Sequence, residues 1–228
     1  MEQTPNTART AGLLYLFVVL AGMFSLAYVP SKLIDWNDAA RTYTNIQGSE
    51  TLFRLGIVAG VICYTAFLLL PFALYKLLHK VNREMAVIMV VLAAASVPFS
   101  LFNLLHKVNV LTLTGKEAVL EAKSIDQRQL QVLQELIYYN NGIELISVFW
   151  GLWLLPFGYL VYKSGFLPKI LGILLMAGCF GYLVNFLGGF LFPQYASIGI
   201  AKFVSLPATL GEIGTCLWLL IIGLKKTR

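Results

Sequence analysis

The sequence predicts an all-α membrane protein: a polytopic bundle of six transmembrane helices, with both termini on the inner side. Three observations carry that prediction. Six apolar runs of about 19 to 24 residues each match the roughly 20 residues a helix needs to cross the hydrocarbon core. At 58% hydrophobic and 12% charged over 228 residues, the chain has more apolar side chain than a soluble domain of this size can hide. Its mean hydropathy of +0.77 agrees. The basic residues, which make the formal charge +6, gather at the ends of the apolar runs, where orientation signals sit. They form no basic run interleaved with aromatics, which argues against a nucleic-acid partner. The partner implied is the lipid bilayer.

Taken in order, a polar tail leads into the first run, 11–29, flanked by Arg9 and Lys32. Ser25-Leu26-Ala27 is a tolerable cleavage pattern, but the run is long for a signal peptide, so it reads as a retained helix. A polar loop follows, holding Asp35, Trp36, Asp38, Arg41 and Glu50. The second span, 55–78, carries Pro71, which predicts a kink. Its Gly56 and Gly60 are four apart, the spacing that lets helix backbones approach closely in lipid. A short basic turn with Lys76, Lys80 and Arg83 leads to the third span, 85–105.

Residues 106–139 read as the longest loop. Within it 117–139 has no Gly or Pro, and Leu130, Leu133 and Ile137 form an apolar stripe. That pattern predicts an amphipathic helix lying on the bilayer or capping the bundle. Asn140-Asn141-Gly142 reads as a turn opening the fourth span, 143–162. The link 163–169 joins it to the fifth, 170–191, and the sixth covers 206–224. The whole chain, 1–228, reads as a single integral-membrane domain.

Charge picks the side. With the N-terminus inside, the inner segments hold Arg9, Lys76, Lys80, Arg83, Lys163, Lys169, Lys225, Lys226 and Arg228 against Glu2 and Glu84. The outer loops hold eight basic and seven acidic residues spread over long segments. Short basic turns belong inside, which gives an N-in, C-in topology.

Polar groups within spans are the candidate site. Asn103, Glu144, Asn185 and Glu212 all fall in the outer half of the predicted bundle, on four different spans. Ser147 lies one turn from Glu144, and Thr209 and Thr215 flank Glu212 at helical spacing. An ionisable group inside a span is costly and needs a partner. Polar faces at one depth suggest a shared, partly wet cavity binding a small molecule or cation, for transport or sensing. Two neighbouring carboxylates in low dielectric cannot both ionise cheaply, so a shared proton is expected between Glu144 and Glu212. The competing reading is that these groups join helices by hydrogen bonds in a structural or accessory protein with no ligand. Least favoured is a membrane hydrolase using the glutamates as acid and base.

Other chemistries find no support. The chain has no Gly-rich phosphate loop and no H-E-x-x-H, and Cys63, Cys179 and Cys216 sit apart within spans as small packing residues. No cofactor and no metal is expected. Nothing in the sequence decides whether copies of the chain associate.

Three strings carry a resemblance: Tyr162-Lys163-Ser164-Gly165-Phe166-Leu167-Pro168-Lys169-Ile170-Leu171-Gly172, the early Arg9-Thr10-Ala11-Gly12-Leu13-Leu14-Tyr15, and the closing Gly211-Glu212 through Trp218-Leu219-Leu220. Together they resemble a bacterial multi-pass membrane family known only as a domain of unknown function. The resemblance covers nearly the whole chain. It implies a bacterial inner-membrane location and brings no activity with it.

Overall fold

A computed structural model describes residues 5–115, 124–192 and 194–224. Six helical stretches are long and apolar enough to cross a membrane: Asn6–Leu33, Glu50–Leu78, Arg83–Thr114, Ile125–Lys163, Lys169–Leu191 and Ile200–Ile222. The described residues are helical throughout apart from short connections, which fits the all-α polytopic bundle.

The first stretch is helix α1 (Pro5–Gly22), a π-helical segment Met23–Tyr28 and a short α2 (Val29–Leu33). Within the predicted polar loop, α3 (Ala39–Gly48) forms a helix the apolar pattern did not reveal. Asp38 caps it, its side chain accepting a hydrogen bond from the Arg41 N–H at 2.9 Å and satisfying one of the orphan donors of the first turn. Helix α4 (Glu50–Leu78) carries Pro71 in its interior, and α5 (Arg83–Thr114) carries Pro98.

Two sequence expectations are corrected here. The third span does not end at 105 but continues as α5 to Thr114. Asn140-Asn141-Gly142 makes no turn: α6 (Ile125–Leu152) runs straight through it, so the described part of the expected amphipathic helix, 125–139, is continuous with the fourth span. The remainder of that predicted helix, 117–123, lies outside the described residues. Gly142 serves close packing. A Cβ there would collide with the side chain of Asn103, whose amide donates to the Tyr139 carbonyl at 2.8 Å.

The fourth stretch breaks once, at Trp153, before α7 (Leu154–Lys163). Pro156 explains the break, since it has no N–H to offer the Leu152 carbonyl one turn earlier. The link 164–168 turns at Gly165, whose φ of 75° favours glycine. Helix α8 (Lys169–Leu191), a 3₁₀ turn Tyr195–Ile198, α9 (Ile200–Leu217) and a closing π-helical turn Trp218–Ile222 complete the chain.

Two compact units emerge, one comprising Met1–Phe17, Thr65–Pro98 and Glu144–Arg228, the other Val18–Tyr64 and Phe99–Ile143. In the first, α8 packs against both α7 and α9, with glycines at the crossings. A Cβ on Gly172 would stand 2.6 Å from the Gly158 carbonyl oxygen and the Tyr162 nitrogen, and one on Gly178 would stand 2.7 Å from the Ala208 Cα. In the second, Val29, Leu33, Tyr43, Ile46, Phe53, Val110, Val132 and Leu136 form a buried apolar core.

Candidate functional site

Glu212 is the charged group around which the first unit's polar chemistry gathers. Helix α9 carries it, partly buried, and its Oε1 accepts a hydrogen bond from the Tyr15 hydroxyl at 3.3 Å. Two close approaches put Tyr15 there. A Cβ on Gly12 would stand 2.6 Å from the Leu220 backbone nitrogen, so only a glycine lets α1 lie this near the last span. The Cys216 thiol, 3.7 Å from the Gly12 carbonyl oxygen, marks the same contact. Tyr15 follows Gly12 by three residues and so lies on the same helical face. Its ring tilts against Trp153 and Phe157, which stack on one another at 5.0 Å, and Phe67 meets Trp153 edge-on. Tyr182 on α8 lies within electrostatic reach of Glu212.

The carboxylate is therefore set among aromatic rings on an apolar helix. Among the described residues the ion pairs are Asp35–Arg41, Glu50–Arg54 and Glu135–His106, and none includes Glu212. Nor do the described residues bring three His, Cys, Asp or Glu side chains together in a metal-binding group.

The other predicted site residues have distinct fates. Glu144 is exposed on α6, and the Ser147 hydroxyl donates to its backbone carbonyl at 2.6 Å, so the two glutamates occupy different surroundings. Thr215 is buried and turns its hydroxyl back onto the Gly211 carbonyl at 2.6 Å; Thr209 is exposed and does the same to Ser205 at 3.2 Å. Asn185 is fully engaged. Its amide donates to the Ser205 hydroxyl at 2.7 Å and to the Ala201 carbonyl at 3.2 Å, and its carbonyl accepts from the Tyr195 hydroxyl at 2.6 Å. Asn103 belongs to the second unit, spent on the Tyr139 carbonyl.

The model of the family described as "Domain of unknown function (DUF4386)" matches residues 10–223. The chain belongs to that family. An "Uncharacterized protein" of Archaeoglobus fulgidus is 31% identical over 96 residues, 42% of this chain and 55% of that relative, so the match spans about half the relative's length. No solved structure matches. In this DUF4386 member, two of the strings that suggested the family meet in space: Gly12 and Tyr15 from the first lie against Leu220 and Glu212 from the last.

Sequence reasoning missed Lys107. It falls in the segment that the sequence pattern assigns to a loop, yet it is 2% exposed on α5 within the second unit. Its Nζ donates to the Ser25 carbonyl at 3.1 Å and stands 4.2 Å from the centre of the Tyr139 ring. The π-helical segment explains why that carbonyl is available. The Val29 N–H, its α-helical partner, bonds to Phe24 instead, and the π-helical partner would be Pro30, which has no N–H. The signal was present in the sequence. Ser96, Ser100, Asn103, Lys107 and Thr114 follow helical spacing on α5, and all five are buried. Ending the span at 105 cut that stripe short. Tyr15 could not have been found, since it lies 197 residues from its partner.

Proposed function

We propose that this DUF4386 member binds a cation reversibly at Glu212, in the simplest case a proton, and couples that binding to transport or sensing of a small molecule in the bacterial inner membrane. One observation carries the reading: an ionisable carboxylate within a membrane-capable helix takes a single hydrogen bond from Tyr15 and pairs with no basic residue among those described. Burying such a group has a cost that function can explain and helix packing cannot, because a glutamine would pack as well. The aromatic surroundings suit a cation too, since ring faces attract positive charge. Glu144, exposed and flanked by Ser147, fits an entry position for the same ligand.

A purely structural role has its own support, since Asn185 and Asn103 are committed to hydrogen bonds with neighbouring segments. One experiment separates the two. Thermal unfolding of the detergent-purified protein is followed from pH 5 to 9, and separately with sodium, potassium and tetramethylammonium. Glu212→Gln should leave the protein folded, since Tyr15 can donate to the amide oxygen, but remove its cation- and pH-dependent shift. Glu144→Gln should weaken the shift less. An unchanged response in the double glutamine variant would leave only the structural role.

A further inference from the structure

A second feature of the first unit has no part in the Glu212 reading. Between the start of α8 and the closing turn of the last span lies an open groove of about 410 Å³, lined by Pro168, Leu171, Gly214, Leu217, Trp218 and Ile221 among others. Almost all of its wall is apolar. Gly214 lets its two sides converge, for a Cβ there would stand 2.7 Å from the Leu171 side chain. The Trp218 side chain forms part of that apolar wall.

Two lysines flank the α8 side of the groove. Lys169 stands in sequence between the lining residues Pro168 and Ile170, its Nζ 5.6 Å from the Tyr162 ring. Lys163 closes α7. The stretch 163–175 contains no aspartate or glutamate. An apolar trough flanked in sequence by lysine has the complementary chemistry of an anionic phospholipid, and basic pockets between membrane helices recognise such headgroups.

We propose that this groove is a specific site for one anionic phospholipid. An acyl chain fills the trough, and Lys169 meets the phosphate. Lysine suits the task, because its stem can follow the apolar wall while its ammonium reaches the interface.

The full-length protein, purified in mild detergent, is mixed with equimolar phosphatidylglycerol and phosphatidylcholine of identical chains and analysed by native mass spectrometry. One phosphatidylglycerol per chain should be retained about tenfold over phosphatidylcholine. Lys169→Gln should bring that preference below about threefold. Ile221→Trp, at a position 70% exposed, should fill the trough and abolish retention of both lipids. Leu217→Trp serves the same purpose if that variant elutes as aggregate. Equal retention of the two lipids by the wild type, an unchanged preference in Lys169→Gln, or wild-type retention in the filled-groove variants would each overturn the proposal.

Discussion

Two glycines on α8 allow a comparison in which helix propensity cancels. A Cβ at Gly172 would lie 2.6 Å from the Gly158 carbonyl oxygen, 2.6 Å from the Tyr162 nitrogen and 2.9 Å from the Tyr162 Cα, while a Cβ at Gly189 would meet nothing within 4 Å. The atoms facing Gly172 are backbone and cannot rotate away, so the helices must part. Replacing glycine by alanine within a helix gains up to about 1 kcal/mol at either position. Only Gly172→Ala also carries the overpacking cost, about 1–3 kcal/mol. The difference between the variants therefore reads the close approach alone, and at 2 kcal/mol it corresponds to about 4–8 °C in Tm for a chain of this size. Thermal unfolding in one fixed detergent is the assay. Gly189→Ala should match or slightly exceed the wild type, and Gly172→Ala should fall below it. Equal midpoints, or a Gly172→Ala more stable than wild type, would refute the backbone-to-backbone contact between α7 and α8.

Asn185 and Tyr195 share a 2.6 Å hydrogen bond, so a double-mutant cycle of Asn185→Ala with Tyr195→Phe should give a coupling of about 0.6–1.7 kcal/mol; additive effects would deny the bond. Lys107→Met keeps the length of the side chain and should cost no more than about 1–2 kcal/mol, because losing the Ser25 contact is offset by no longer burying a charge. Lys107→Glu sets an anion against that carbonyl and the face of Tyr139, and should yield little monodisperse protein; equal yields of the two variants would contradict this placement. For topology, a cysteine at Lys163 should be protected from an impermeant thiol reagent in intact cells and one at Ser124 labelled, with the reverse pattern inverting the orientation.

The six membrane-capable helices were legible because crossing length and apolarity are local properties of the chain. Their ends were less so. Asn140-Asn141-Gly142 carries strong turn propensity, yet the helix continues through it because Gly142 admits Asn103 and neighbouring contacts outweigh local preference. Asp38 was readable as a cap, but α3 buries Tyr43 and Ile46 against residues far along the chain, which no short window of sequence can show. Of the candidate site, Glu212 stood out through the cost of its charge, whereas its partner Tyr15 and the orphaned Ser25 carbonyl beneath Lys107 depend on how helices meet. Asn185 stands out in the sequence as a polar group within a span, but its commitment to Ser205 and Tyr195 required the fold.

The apolar core built on Tyr43 and Ile46 has a consequence for how this chain responds to solvent. Helix α3 lies in sequence between two membrane-capable stretches and exposes polar residues such as Arg41, Thr44 and Gln47, so we read its buried face as one held by the expulsion of water, as in a soluble domain. Helices packed against each other within lipid gain nothing from that source. Urea and cold act on water-driven burial, and only such burial contributes a large heat-capacity change on unfolding. On that reading the side chains of α3 around Tyr43 should contribute to the curvature of stability with temperature, while contacts within lipid should respond to detergent and membrane composition instead.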